Sequence, residues 1–273
     1  MANIFDVVPS GQTCLKVLLP HDIRSQRLKS YTEHHVDFDE AAEYSQEDEI
    51  KQMNKAQLIL AIHNEDAVTL KTMVPKAEVF SLPYAVEPVL CTHSQIRGRL
   101  LFVGSLVGHN IHGLEWFLRE VWPKILEKVP HCVLHVCGNV CDAMECHDKR
   151  VCFCGITDDL GSEYAAAEVV VVPLLCGSGL KIKVLEALSY GRVCVSTQVG
   201  LQSLDDALGY DAVLLANHAQ EFADTTVKLL MNPGLRDRIQ DNAIRYIGEK
   251  YGPEKIYGPI KKRFLEWGDK KSL

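Results

Sequence analysis

Residues 169–197 carry the most restrictive pattern in the chain: a short apolar run, a glycine turn, a helix and a second apolar run. Val169–Val172 predicts a strand buried on both faces, because an all-valine run has no polar side chain for solvent. Gly177–Gly179 predict a tight turn, Leu180–Tyr190 a helix, and Val193–Ser196 the next strand. A strand, a crossover helix and a strand in this order imply a parallel α/β sheet.

The same alternation extends through most of the chain from residue 99 onward. Further strands are predicted at Leu100–Val103, Cys132–Val136 and Ala212–Leu215, and further helices at Gly113–Val121, Asp159–Ala167, Gln220–Met231 and Gly234–Lys250. The prediction is a doubly wound, Rossmann-like parallel sheet, which binds its ligands at the carboxyl ends of its strands. Gly104 and Gly177 fall at such ends, so a ligand site is expected beside them.

The first part of the chain shows the same pattern with fewer units. Strands are predicted at Leu15–Leu19, Leu58–Ile62 and Val79–Leu82, and helices at 39–55 and Glu65–Met73. Two or three strands with their helices do not readily close a core by themselves. This part is therefore expected to be a partial second Rossmann-like domain.

The periodicity of the sequence and its Gly-Pro break suggest four segments. Residues 1–87 are predicted to form the partial domain, and 88–98, which lack a clear period, the linker. Residues 99–250 hold the complete sheet, and 251–273 hold a last helix that follows the break Tyr251-Gly252-Pro253.

The glycine turn and the helix after it carry the chemistry. Backbone N–H groups are expected to be free at this helix N-terminus, where the helix dipole also favours an anion. Lys181 and Lys183 lie in the first helical turn, where two cations are unfavourable unless a negative group sits opposite. Glu186 follows within reach of a hydroxylated group beside phosphates. These residue types suit a nucleoside diphosphate that carries a sugar.

Net charge and hydropathy exclude other classes of function. The 273-residue chain has a formal net charge of −7 and a pI near 5.9, which argues against a broad nucleic-acid interface. No apolar run approaches the ~20 residues that a membrane span needs, and the first residues lack a secretory pattern. The chain is expected in the cytoplasm, and peripheral contact with a membrane stays open.

Three motifs in order resemble the donor-binding half of a GT-B glycosyltransferase, specifically the retaining "group 1", or family 4, class. Leu101–Leu118 resembles that family's first donor-domain strand, turn and helix, Val151–Asp159 its base-side loop, and Gly177–Thr197 its phosphate- and sugar-binding helix. The first part is similar to the second half of the family's acceptor domain, so the resemblance implies an N-terminally shortened member. The last helix then corresponds to the crossover helix that returns to the acceptor domain.

The resemblance implies roles for individual residues. Lys183, and with it Lys181, would neutralise the departing diphosphate, Glu186 would accept hydrogen bonds from the ribose, and His21 would reach the sugar from the facing lobe. The remaining donor-binding positions implied are Gly104, Ser105, Gly155, Ile156, Gly177, Ser178, Gly179 and Leu180. The family retains the anomeric configuration, and neither a metal nor a cofactor is expected, because the lysines replace the metal.

Two departures from the family keep alternatives open. Ser178 stands where the first glutamate of a Glu-x7-Glu pattern is expected, and the wall after Gly104 lacks the arginine and lysine of many members. The favoured function is sugar transfer from a nucleoside-diphosphate sugar to a glycan, lipid or protein acceptor in polysaccharide synthesis. The rivals are a nucleotide-sugar-binding or scaffold remnant and one part of a split enzyme completed by a second chain. A GT-B-like epimerase is disfavoured by the family 4 motifs.

Cysteine and histidine residues cluster between residues 131 and 154: His131, Cys132, His135, Cys137, Cys141, Cys146, His147, Cys152 and Cys154. Zinc binding is one interpretation of this cluster. Against it, the cluster lacks a clean Cys-x2-Cys pair, and residues of a strand alternate between its two faces. Reduced, mostly buried thiols are expected instead.

Overall fold

A computed structural model describes residues 14–36, 45–89 and 95–269. These residues form two parallel sheets, of three and six strands. The strands are β1 (Val17–Leu18), β2 (Leu58–Ala61), β3 (Glu78–Ser81), β4 (Arg99–Val103), β5 (Val133–Cys137), β6 (Val151–Gly155), β7 (Val169–Val172), β8 (Val193–Ser196) and β9 (Val213–Leu215). Among the described helices, none combines the length and apolar character needed to cross a bilayer.

Helices connect the strands. They are α1 (Arg24–Glu33), α2 (Gln46–Met53), α3 (Asn64–Met73), α4 (Gly108–Trp116), α5 (Trp122–Lys128), α6 (Leu160–Ala166), α7 (Ile182–Ser189), α8 (Asp206–Gly209), α9 (Ala219–Met231), α10 (Pro233–Lys250) and α11 (Pro253–Asp269). We call β4–β9 with α4–α10 the large lobe, and β1–β3 with α1–α3 and α11 the small lobe.

The large sheet has the strand order β6-β5-β4-β7-β8-β9, and every neighbouring pair is parallel. This order confirms the predicted doubly wound, Rossmann-like α/β fold. The strand order reverses between β4 and β7, and the crevice at such a switch point is where open α/β sheets bind ligands. Gly104 follows β4 there, and Gly177 follows β7.

Two apolar cores cover the two faces of the large sheet. On one face Phe117, Trp122 and Phe222 pack from α5, α9 and a π-helical turn at Phe117–Val121. On the other face Tyr164 from α6 and Tyr246 from α10 are buried with the apolar side of α7. Burial on both faces explains why the central strands are continuous apolar runs.

The small sheet is covered by elements from both ends of the chain. Ile59 and Leu70 lie in a core between β2 and α3, and Leu58 and Leu60 face the other way onto Ile260 of α11. The Arg263 guanidinium donates to both Glu78 carboxylate oxygens, at 2.8 and 2.6 Å, and so joins α11 to β3. A three-stranded sheet thus buries its second face with the last helix.

The structure differs from the sequence predictions at several elements. Helix α1 was not predicted, because Arg24–Glu33 holds only two apolar residues and has no helical period. Its first turn is stabilised by Glu49, which accepts hydrogen bonds from the backbone N–H groups of Arg24 and Ser25, at 2.7 and 3.1 Å. A tertiary contact, absent from any local pattern, therefore caps this helix.

Three further elements have other bounds than expected. The stretch expected as a base-side loop contains the edge strand β6, which is only partly buried. Helix α4 begins at Gly108, five residues before the expected start. Of the helix expected at 39–55, α2 covers Gln46–Met53 with Ser45 as its N-cap, and residues 39–44 lie outside the described residues.

Candidate functional site

The glycine turn lies between the two lobes. Gly177 has a φ of +116° and Gly179 a φ of +76°, in the left-handed region that side chains rarely adopt. Space is also short: a Cβ on Gly177 would lie 3.1 Å from the His109 ring, and one on Gly179 would lie 3.0 Å from Cβ of Asp22. Glycine is therefore required at both positions for the turn to fit between α4 and the small lobe.

Lys183, the second residue of α7, reaches across the switch point to residues of β4 and α4. Its ammonium donates a hydrogen bond to Oδ1 of Asn110 at 2.6 Å and lies 4.7 Å from the centroid of the Phe102 ring. Burial lowers the pKa of Lys183 to about 7, with a smaller contribution from the positive charge of Lys181 and an opposing one from Glu186. An anion in the crevice would stabilise the charged form.

Lys181 has a different arrangement. Its side chain is 4% exposed, and its ammonium donates to the backbone carbonyl oxygens of Ser178 and Gly179, at 2.9 and 2.7 Å. Burial lowers its pKa to about 8. Lys181 thus holds the shape of the turn, and Lys183 is the lysine that the geometry presents to a ligand.

Asn110 joins the two walls of the crevice, and the sequence analysis missed it. Its amide Nδ2 donates to the Ser105 carbonyl oxygen at 2.9 Å and to Ser105 Oγ at 3.3 Å, while Oδ1 accepts from Lys183. Asn110 is 2% exposed. The available signal was the polar pair His109-Asn110 in the first turn of the helix that follows Gly104.

His109 and Tyr31 meet across the lobes. The Tyr31 hydroxyl lies 2.7 Å from Nδ1 of His109, and the His109 backbone N–H donates to the same hydroxyl oxygen at 3.4 Å. Since that oxygen accepts from the backbone, its hydrogen is available for Nδ1, which fits a ring protonated on Nε2. Burial, together with Lys181 and Lys183, lowers the pKa of His109 to about 3. His109 is therefore neutral near pH 7.

The small lobe occupies part of the turn that was expected to be free. The Gly177 backbone N–H donates to Ser30 Oγ at 3.0 Å, and the Ser178 hydroxyl donates to Oδ2 of Asp22 at 3.1 Å. The prediction of unpartnered N–H groups is therefore wrong for Gly177. Asp22 also pairs with Arg27 at 2.8 Å, and burial raises the pKa of Asp22 above its usual value. A ligand phosphate would have to replace Ser30 and Asp22.

His21 ends the loop that approaches the turn from the small lobe. Its carbonyl oxygen lies 3.2 Å from the position of a Cβ on Gly179, and the residue is exposed. The structure thus brings His21 beside the turn, as the resemblance implies. Its catalytic role stays a prediction.

The other predicted residues lie around the same strand ends. Glu186 accepts a 2.9 Å hydrogen bond from the Tyr164 hydroxyl, and burial raises the pKa of its carboxyl group. Gly155, with a φ of +66°, accepts from the backbone N–H of Gly138 at 2.7 Å, and Ile156 beside it is 80% exposed.

A cavity of about 320 Å³ opens between the lobes beside the turn. Leu180, predicted to bind the donor, lines it from the large lobe together with Ser203 and Asp206, and Glu65 lines it from α3. Ser203 and Glu65 also share a 3.4 Å hydrogen bond across the gap. The turn therefore has a small-lobe contact on one side and an open cavity of mixed polar and apolar lining on the other.

Sequence and structure comparisons relate the chain to known proteins. Residues 97–232 match the family described as "Glycosyl transferases group 1". These residues form a group 1 glycosyltransferase domain. The matched segment contains β4–β9, the glycine turn and the lysines, so the family assignment rests on the part of the chain that builds the crevice.

Known proteins resemble the chain over different lengths. An uncharacterized 44.6 kDa protein in the cps region of Klebsiella pneumoniae is 28% identical over 173 residues, which are 59% of this chain and 44% of that protein. The crystal structure of a TarM point mutant from S. aureus, in complex with fondaparinux, alpha-GlcNAc-glycerol and UDP, superposes with a TM-score of 0.72 at 17% identity, over 91% of this chain and 50% of TarM. Sucrose-phosphate synthase from Thermosynechococcus elongatus gives a TM-score of 0.68 at 17% identity, over 93% of this chain and 68% of the synthase chain.

These matches fix the fold as that of GT-B glycosyltransferases. The chain spans about half the length of TarM and less than half the length of the Klebsiella relative. It therefore shares a fold with proteins that are longer than itself.

Proposed function

We propose that this protein binds a nucleoside-diphosphate sugar in the crevice between the lobes and transfers the sugar to an acceptor. The observation that carries the proposal is the partly buried ammonium of Lys183, held by Asn110 beside a glycine turn at the sheet's switch point. Partial removal of an ammonium group from water is costly, and a nearby anion offsets that cost. A diphosphate supplies that anion.

In the proposed reaction the diphosphate leaves, and the sugar keeps its anomeric configuration. Negative charge grows on the departing phosphate oxygens, and fixed positive groups near them lower the barrier. Lys183 supplies this charge, while Lys181 and the Gly177–Gly179 turn hold the backbone that faces the phosphates. Glu186 accepts hydrogen bonds from the ribose hydroxyls, and the exposed Ile156 side chain packs on the base.

The nature of donor and acceptor is also proposed. UDP bound to TarM, a protein of the same fold, favours a uridine nucleotide. The alpha-GlcNAc-glycerol bound to TarM and the cps region of the Klebsiella relative favour an acceptor of polysaccharide synthesis. The cavity lined by Leu180, Ser203 and Glu65 is the place we propose for the transferred sugar or the acceptor.

A second candidate is a protein that binds the donor without transfer. The observation in its favour is that Ser30 and Asp22 of the small lobe already accept hydrogen bonds from the glycine turn. Ser30 accepts from the Gly177 backbone N–H, and Asp22 accepts from the Ser178 hydroxyl. If these contacts persist, a diphosphate binds only at the cost of separating the lobes. A second chain that contributes to acceptor binding belongs to the same alternative.

Calorimetric titration with UDP tests the binding step. The parent chain should bind UDP, and Lys183→Ala should weaken binding about tenfold to a hundredfold, because a hydrogen bond to a charged group contributes about 1.5–3 kcal/mol. Lys228→Ala, which removes an exposed lysine of α9, should leave the affinity unchanged. Absence of UDP binding by the parent chain would refute both candidates.

Release of UDP from UDP-sugars separates the two candidates. Transfer predicts that UDP accumulates from at least one UDP-sugar when a panel of glycans and glycerol glycosides is added, and that Lys183→Ala abolishes this. Binding of the donor with no release of UDP across the panel supports the second candidate.

A further inference from the structure

A second cluster of reactive side chains lies at the edge of the large sheet, next in sequence to the predicted base-binding residues Gly155 and Ile156. His135 on β5, Cys154 on β6 and Glu163 on α6 bring one nitrogen, one sulfur and one carboxylate oxygen within 4.8 Å of one another. His135 Nδ1 lies 2.9 Å from Oε2 of Glu163 and 3.5 Å from Sγ of Cys154. We propose that these three residues form a zinc site, independent of the nucleotide-sugar proposal.

The fold explains why residues distant in sequence meet here. His135 is paired in register with Cys152, and a register shift after Val136 displaces the end of β6, which carries Cys154, relative to β5. Helix α6 then returns over the same face of the sheet and adds Glu163. The spacing of cysteines and histidines along the chain gives no sign of this site, because one of its ligands is a carboxylate from the following helix.

The distances suit a tetrahedral zinc ion. Bond lengths of about 2.0–2.1 Å to nitrogen or oxygen and about 2.3 Å to sulfur place neighbouring nitrogen and sulfur ligands about 3.5 Å apart. The distance from His135 to Cys154 has this value already. The His135–Glu163 contact has hydrogen-bond length and needs only a few tenths of an ångström more to admit an ion in place of the shared proton.

The proposed site has three protein ligands and leaves a fourth position for water. Cys137 is in hydrogen-bond contact with the thiol of Cys154 but lies outside the three-atom group, so the fourth position falls to water. The His135 and Glu163 side chains are 14% and 21% exposed, and Cys154 is exposed, which gives an ion a path from solvent. Arg99 lies 4.0 Å from Oε2 of Glu163 and balances part of the carboxylate charge.

A soft thiolate with an imidazole and one carboxylate selects zinc over magnesium or calcium, which prefer oxygen ligands. On binding, the Cys154 thiol gives its proton to solvent, and the neutral His135 ring carries its proton on Nε2 instead of Nδ1, so that Nδ1 and the Glu163 carboxylate both bind the ion. The ion would tie the edge strand β6 to α6. Because zinc binds the folded state, it should raise the thermal unfolding midpoint.

Zinc titration of the full chain tests the site. The protein is dialysed against a chelator, kept reduced with a phosphine, and titrated with zinc chloride by calorimetry. The parent chain should bind one ion in a saturable step. Cys154→Ser and Glu163→Gln should each weaken that step at least about tenfold, since even outer-sphere partners of a metal contribute 10–100-fold.

Cys146→Ser is the matched control, because Cys146 belongs to the same cysteine-rich segment and is absent from the three-atom group. It should bind zinc as the parent does. Co²⁺ should give a thiolate charge-transfer absorption that Cys154→Ser loses and Cys146→Ser keeps. If Cys154→Ser fails to fold, Glu163→Gln decides, because the amide retains a hydrogen bond to His135. No saturable zinc binding by the parent, or equal binding by the parent and Glu163→Gln, would overturn the proposal.

Discussion

The two lobes share a parallel sheet flanked by helices, but they differ in what closes their cores. The large lobe covers both faces of its sheet with helices from its own continuous stretch of chain, α4 to α10. The small lobe covers one face of its sheet with α3. The other face is covered by α11, which comes from the far end of the sequence. The large lobe also supplies Lys183 and Asn110, while the small lobe contributes Asp22, Ser30 and Tyr31 to the contact surface. The main core and the crevice lysines thus belong to the large lobe, and the contacts that cover the turn come from the small one.

The largest effect is expected in the core of the large lobe. Phe117→Ala removes a fully buried ring that packs edge-on against Phe222, and it should lower the free energy of unfolding by about 3–5 kcal/mol. Chemical denaturation followed by circular dichroism measures this. Phe264→Ala, in which a half-exposed ring of α11 is removed, should lower the free energy of unfolding much less than Phe117→Ala does. Equal costs would contradict the view that the large lobe carries the main core.

A similar change tests whether the small lobe depends on α11. Ile260 is 5% exposed and packs on Leu58 and Leu60, so Ile260→Ala should lower the free energy of unfolding by about 2–4 kcal/mol. Leu265→Ala on the same helix, at a position 63% exposed, is the control and should have little effect. If the two variants unfold alike, α11 does not complete the small core.

The pH dependence of donor binding tests the charge in the crevice. Lys183 has a pKa of about 7 in the free protein, and a bound diphosphate should raise that pKa, so binding takes up a proton. Affinity for UDP-glucose should therefore be highest below pH 7 and fall about tenfold from pH 6 to pH 8. Lys181, with a pKa of about 8, adds to the decline above that value.

Calorimetry at both pH values measures this dependence, because the diphosphate diester of UDP-glucose keeps a constant charge over the range. Lys183→Met should bind weakly and lose most of the decline between pH 6 and pH 8. An affinity of the parent chain that does not change from pH 6 to pH 8 would rule out the titration of a crevice lysine.

The smallest effect is expected from the small-lobe contact. Asp22→Asn removes a negative charge beside the glycine turn and keeps an acceptor for the Ser178 hydroxyl. UDP affinity should rise several-fold, corresponding to about 1 kcal/mol. Asp237→Asn, on the exposed side of α10, is the control. Weaker binding by Asp22→Asn would mean that the small lobe helps to hold the ligand and does not compete with it.

Local sequence patterns predicted most of the large lobe and its turn. Apolar runs such as Val169–Val172 must be buried, and glycines at 177 and 179 permit backbone angles that other residues avoid, so both signals are local. The patterns failed at α1 and β6. Helix α1 is stabilised by the Glu49 cap and by Tyr31 packing on His109, and β6 is a partly exposed edge strand that pairs with β5. The contacts that stabilise α1 are not visible in neighbouring residues.

By itself, the sequence determined the α/β class, the position of the glycine turn and the identity of Lys183 as a candidate ligand-binding group. These depend on side-chain type and spacing within one strand–helix unit. Only the tertiary structure decided that Asn110 joins Ser105 to Lys183, and that Asp22 and Ser30 lie against the glycine turn. The reason is that a hydrogen bond between elements 70 or more residues apart depends on how the sheets pack, and periodicity carries no information about that packing.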